Sequence, residues 1–131
     1  MKKLIGFRKL KTAVFISGNG SNLKNLIKFS NLKNSPIKIE IVISSNIKAK
    51  GLVIAKKFKL KNKIFSFSNK KENIKIVKIL NNNSINLICL AGFMKILSKN
   101  FIKNFNGKIL NIHPSLLPKY KGLNTHQRVI D

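Results

Sequence analysis

Thr12-Ala13-Val14-Phe15-Ile16-Ser17-Gly18-Asn19-Gly20-Ser21-Asn22-Leu23 is the stretch on which the reading of this chain turns. Thr12–Ile16 is an uncharged, largely apolar run of the kind found in a strand covered on both faces. A glycine-containing turn follows at once. Beyond it Leu23, Leu26, Ile27 and Phe29 recur at helical spacing to about Leu32. The stretch predicts strand, turn, helix. Glycines let the main chain approach a ligand closely. Ser21 or Asn22 is the expected helix cap, and the helix start offers free N–H groups and a positive dipole to a phosphate. The third glycine of G-x-G-x-x-G is missing, and so is the G-K-[ST] of a P-loop. By spacing alone, the turn reads equally as an empty connection or as an anion cradle.

The same alternation continues outward. Asn34-Ser35-Pro36 breaks the chain, and residues 37–43 form a second strand that begins alternating and ends solidly apolar. A second helix is expected over roughly 49–59 and a third strand over 63–67. A third helix follows over 70–80 and a fourth strand over 86–91. Gly92–Leu97 is an apolar loop, Ser98 caps a short helix to about Phe105, and Ile109-Leu110-Asn111 closes a fifth strand. Strands alternating with helices give βαβ units, a parallel sheet and right-handed crossovers. The expected class is α/β, a Rossmann-like doubly wound parallel sheet. Residues 1–11 read as a basic leader and 12–131 as one domain.

Composition bounds the rest. The chain has 131 residues, enough for one domain. No apolar run approaches the roughly 20 residues of a membrane span, so no membrane partner is expected. Cys89 is the single cysteine, which excludes an internal disulfide. It sits in an apolar run, reads as a buried small hydrophobe and fits a reducing cytoplasm. The net charge of +24 invites a polyanion. Yet Lys, Asn and Ile supply almost half of the chain, all three have A+T-rich codons, and the lysines are spread over nearly every segment. Compositional drift is the preferred account over a dedicated polyanion surface. Non-specific attraction to RNA at low salt follows either way.

The last informative block is Asn111-Ile112-His113-Pro114-Ser115-Leu116-Leu117-Pro118-Lys119-Tyr120. Two prolines force an extended loop after the fifth strand. Asn111 and His113, at i and i+2, would share one face at the carboxyl edge, where open α/β sheets bind ligands. One is an amide donor and the other titrates near neutrality. A histidine beside a proline also reads as a structural or solvated ring. His126 has no such context and reads as structural or close to substrate.

Three segments in order, Ser17–Leu23, Ala91-Gly92-Phe93-Met94-Lys95-Ile96-Leu97 and Asn111–Tyr120, resemble the phosphoribosylglycinamide formyltransferases, the glycinamide ribonucleotide branch of the formyltransferase superfamily. The likeness runs from about Thr12 to the last residue. It implies transfer of a formyl group from 10-formyltetrahydrofolate, a co-substrate, to the amine of 5′-phosphoribosylglycinamide in purine synthesis, with small-molecule substrates and no metal. It implies that Gly20, Ser21 and Asn22 hold the substrate phosphate. It implies that Met94, Lys95, Ile96 and Leu97, with Asn111, meet the folate, and that Asn111 and His113 are the catalytic pair. The family commonly has arginine at Lys95 and near Lys70. Lysine keeps the charge but loses the planar fork, which makes Lys70 the weakest folate candidate.

One departure stands out. The family's third catalytic residue is an aspartate in a later segment, and Asp131 falls too soon after His126 to be its counterpart. The expectation is therefore a C-terminally truncated domain with one flank of its sheet open, completed by a second polypeptide or impaired. The alternatives are a methionyl-tRNA formyltransferase-like enzyme and a non-catalytic basic module binding nucleotide or RNA.

Overall fold

A computed structural model describes residues 8–112. Five strands form one parallel sheet: β1 (Leu10–Ile16), β2 (Ile37–Ser44), β3 (Lys61–Ile64), β4 (Leu87–Ala91) and β5 (Lys108–Ile112). Four helices alternate with them: α1 (Ser21–Ser30), α2 (Lys50–Lys57), α3 (Lys70–Asn82) and α4 (Lys99–Asn104). The strand order is β3-β2-β1-β4-β5. The chain winds outward from β1 to β3, then crosses back to continue with β4 and β5. The order reverses between β1 and β4, and such a switch point is where a doubly wound sheet opens a crevice.

Each face has its own core. Val14 and Ile16 of β1 join Leu23, Leu26 and Ile27 of α1 and Leu52 and Ala55 of α2 in an aliphatic layer. Ala13 and Phe15 point the other way, to Ile76, Val77 and Leu80 of α3 and Phe101 of α4. This second layer is aromatic. The Phe15 ring lies 5.4 Å from Phe67, 5.3 Å from Phe93 and 6.1 Å from Phe101. Edge-on and tilted pairs of this kind add about 1 kcal/mol each beyond burial.

β2 explains its mixed pattern. Thr12 pairs with Ile39 but Ala13 pairs with Ile41, so Glu40 is an inserted bulge residue. The insertion flips the strand. Ile37 and Ile39 face the aliphatic layer, whereas Ile41 and Ile43 face the aromatic one.

Several expected boundaries move. β1 starts at Leu10, two residues inside the expected leader, because Leu10 and Lys11 pair with Ile37 and Lys38. β3 is Lys61–Ile64 and not 63–67. Phe67 takes a left-handed φ of 59°, which ends any strand and turns its ring into the aromatic layer. Glu72 holds that turn: its Oε1 accepts from the Phe67 N–H (2.8 Å) and the Ser66 hydroxyl (2.6 Å). Asn69 caps α3 by accepting from the Glu72 N–H at 2.8 Å.

Two helices end in αL residues that are not glycine, Lys59 and Ser84. In each case the two next N–H groups turn back onto the helix. Lys59 and Leu60 bond to Lys56 and Ala55; Ser84 and Ile85 bond to Asn81 and Leu80. The buried Ile85 supplies the apolar contact that such ends favour. α3 consequently runs to Asn82, past the expected Leu80. Among the described residues one ion pair forms, Lys38 Nζ to Glu40 Oε2 at 3.6 Å.

Candidate active site

Two loops leave the sheet at the switch point, after β1 and β4, with the turn after β2 and the end of β5 on either side of them. The first is the glycine corner. Gly20, not Ser21 or Asn22, takes the helix-cap position, with φ 84° and no side-chain capping bond. Two constraints require glycine there. The φ is left-handed, and a Cβ would sit 2.6 Å from Gly51 Cα at the start of α2. Gly51 N–H donates to the Gly18 carbonyl at 3.1 Å, which locks the turn to the second helix. Asn19 supplies what the expected caps do not, its Oδ1 accepting from the Ser21 N–H at 3.0 Å.

The corner is suited to an anion. Helix starts leave their first N–H groups without intrahelical partners. Among the described residues, no acceptor falls to Asn22 or Leu23 N–H, and the first turn of α1 carries no acidic side chain. Ser21 is exposed and Asn22 partly so.

The loop after β4 is the second component. Gly92 has φ 70° with open space around it. Phe93 and Leu97 turn inward against the aromatic layer. Lys95 is exposed, and Met94 and Ile96 are 81% and 93% exposed. Met94 N–H donates to Ser17 Oγ across the switch point at 2.8 Å. Ser17 Oγ in turn lies 2.5 Å from Ser45 Oγ, beyond β2.

Asn111 is the third component. Leu90 pairs with Phe15 on one side and with Asn111 on the other. The amide is therefore level with the end of β1, two strand spacings away, or roughly 10 Å. It is exposed, on the same sheet face as Ile109 and the aromatic layer. The structure thus brings Gly20, Ser21, Asn22, Met94–Leu97 and Asn111 to one edge. Lys70 is the first residue of α3 and lies apart from the glycine corner. It lines a groove of about 560 Å³ between α3 and α4, over Phe67 and Phe101.

His113 and His126 lie outside the described residues. The two described carboxylates are engaged elsewhere. Glu40 pairs with Lys38, and Glu72 is held below its ordinary pKa first by the Ser66 hydroxyl, then by main-chain N–H groups. Cys89 is buried and its thiol is pushed up to about 11 by desolvation, so it is no nucleophile. Among the described residues no cluster of three metal-ligating side chains forms, and no helix is long and apolar enough to cross a membrane.

Sequence reasoning missed Ser17, Asn19, Ser45 and Gly51. Asn19 carried a local signal, since an Asn two residues before an N–H readily accepts from it. The other three meet only after folding.

Known proteins align with this chain. Residues 10–131 match the formyl transferase family model. The phosphoribosylglycinamide formyltransferase of Haemophilus influenzae is 47% identical over 125 residues, which span 92% of this chain and 59% of that protein. The human trifunctional purine biosynthetic protein adenosine-3 is 41% identical over 128 residues, 95% of this chain and 13% of that protein. Among solved structures, the phosphoribosylglycinamide formyltransferase from Brucella melitensis superposes with a TM-score of 0.75 at 39% identity, covering 92% of this chain and 65% of that one. The chain thus spans about six-tenths of the Haemophilus protein.

Proposed function

Because the chain belongs to the formyl transferase family, we propose that it handles the chemistry of its relatives: formyl transfer from 10-formyltetrahydrofolate to the amine of 5′-phosphoribosylglycinamide. The observation that carries the reading is the register Phe15–Leu90–Asn111. It sets an amide donor two strand spacings, roughly 10 Å, from β1, whose following turn leads into a helix start with free N–H groups, a layout suited to one phosphorylated acceptor that reaches both.

In this reading the phosphate meets Gly20, Ser21 and Asn22, and the folate lies against Met94, Lys95, Ile96 and Leu97. The Lys70 ammonium is offered to a carboxylate of the folate tail. The acceptor amine attacks the formyl carbon, and charge develops on the formyl oxygen. Asn111 donates to that oxygen, and protonated His113 donates beside it. A donor of this kind is worth about 3–4 kcal/mol. The amine releases a proton to solvent water as the C–N bond forms, and solvent later recharges His113. His113 passes its proton to the departing folate nitrogen as the old C–N bond breaks. A preformed corner also supplies orientation, which in such two-substrate reactions is a large part of the barrier.

The test is a formyl-transfer assay on the full chain with two acceptors, 5′-phosphoribosylglycinamide and methionyl-tRNA. Turnover with the first is expected. Asn111→Ala and His113→Ala should each lower it by 100-fold or more. Turnover with methionyl-tRNA alone would redirect the reading to the tRNA branch. Steeply salt-dependent RNA binding without folate binding would leave a basic nucleotide-binding module.

A further inference from the structure

We infer that Ser17 is a positioning residue: its hydroxyl holds the main chain of the Met94–Leu97 loop against the glycine corner, so that filling one half of the site steadies the other. The inference rests on the reading of these halves as phosphate and folate subsites.

Ser17 follows the last residue of β1 and is 8% exposed. Its Oγ accepts from Met94 N–H at 2.8 Å and shares a 2.5 Å hydrogen bond with Ser45 Oγ. A hydroxyl has one proton to give and two lone pairs. Met94 fills one lone pair, and Ser45 takes the proton or the second pair. Three segments, each leaving the carboxyl end of a different strand, therefore meet at one oxygen.

Little else fixes the loop. Among the described residues no other hydrogen bond ties Phe93–Leu97 to the rest of the fold. Gly92, with φ 70° and nothing within 4 Å of where a Cβ would sit, gives the loop a free pivot. What remains is packing of Phe93 and Leu97 on the aromatic layer.

The corner is joined to the same point. Gly18, next to Ser17, gives its carbonyl to Gly51 N–H. Ile16 gives its carbonyl to Ser45 N–H at 3.0 Å. The Gly18–Gly51 contact fixes the shape of the corner, but among the described residues the Asn22 and Leu23 N–H groups of α1 have no partner. A phosphate there removes the residual motion of Gly20–Asn22, which restrains Ser17, and Ser17 restrains the Met94 main chain. A second ligand then meets a loop that has already lost part of its freedom, which is positive coupling without a shape change.

The experiment uses the full chain with Ser17→Ala and, as control, Ser45→Ala, which leaves the Met94 bond in place. Hydrogen exchange at the Met94 amide, without ligand, should quicken about tenfold in Ser17→Ala, the size expected for one lost hydrogen bond. It should change less in Ser45→Ala. Tetrahydrofolate binding is then titrated with and without saturating 5′-phosphoribosylglycinamide. In the native chain and in Ser45→Ala the acceptor should tighten tetrahydrofolate several-fold. In Ser17→Ala that factor should fall to near one, while affinity for the acceptor alone changes less than twofold. A factor that survives Ser17→Ala sinks the inference and spares the formyl-transfer reading. A native chain that binds neither ligand sinks both.

Discussion

The glycine corner after β1 and the Gly92–Leu97 loop after β4 leave neighbouring strands at the same edge, yet they are built differently. The corner is made of main chain. Gly20 and Gly51 approach until no Cβ fits, and Gly51 N–H closes the turn onto Gly18. The loop presents side chains. It turns Phe93 and Leu97 inward and leaves Met94 and Ile96 in solvent. A phosphate is small and takes N–H groups of fixed direction, so a rigid corner suits it. A flat heterocycle buries apolar area, so chains free to adapt suit it better. The contrast separates a half-site whose shape is inseparable from the fold from one that the fold tolerates in many forms.

Breaking the rigid half should be the costliest change. Gly20→Ala combines a left-handed φ with a 2.6 Å overlap on Gly51 Cα. Strain and overpacking of that kind together amount to about 4 kcal/mol, readable as a lower midpoint in urea. The strand beneath the loop can be probed through Cys89, whose ordinary value of 9.0 is raised to about 11. The unfolded thiol ionises first, so stability should fall as pH rises from about 9 to about 11 and level off above. About 3 kcal/mol is the upper limit. Alkylation at pH 8 should accordingly be slow until the chain unfolds.

Glu72→Ala should cost about 1 kcal/mol, the worth of a helix-start contact. Glu72 is depressed in the fold, so its contribution is present above its ordinary value of 4.5. It should fade as acid protonates the carboxyl, and native and variant melting curves should converge at low pH. The smallest effect is expected in the adaptable half. Met94→Ser with Ile96→Ser should leave stability within about 0.5 kcal/mol, as exposed substitutions do, while raising KM for the proposed folate co-substrate. A large loss of stability there would erase the distinction between the halves.

How much of this could be read from residues alone follows from distance along the chain. The five-stranded alternation was visible because Val14, Ile16, Leu23 and Leu26 report their own burial by period. Phe65-Ser66-Phe67 was misread as strand, because nothing in an aromatic residue announces a φ of 59°. That conformation is held by Glu72 and by three other rings. The ends of α2 and α3 lacked the usual glycine signal, as Lys59 and Ser84 stand in its place. The glycine corner was legible as a candidate. Its support was not: Ser17 is 28 residues from Ser45 and 77 from Met94. A bond between such positions leaves no periodic trace in the sequence.

That Lys38–Glu40 is the one ion pair among the described residues has a practical consequence. An exposed pair of this sort contributes at most about 1 kcal/mol, so the described part of the fold draws almost nothing from attraction between charges and suffers the mutual repulsion of its lysines. Added electrolyte, with a screening length of about 8 Å near physiological strength, should raise the melting temperature. The same ions would compete for the helix start proposed to hold a phosphate by dipole and N–H groups. Conditions that make this protein sturdiest are then those in which the proposed phosphorylated substrate should bind least well.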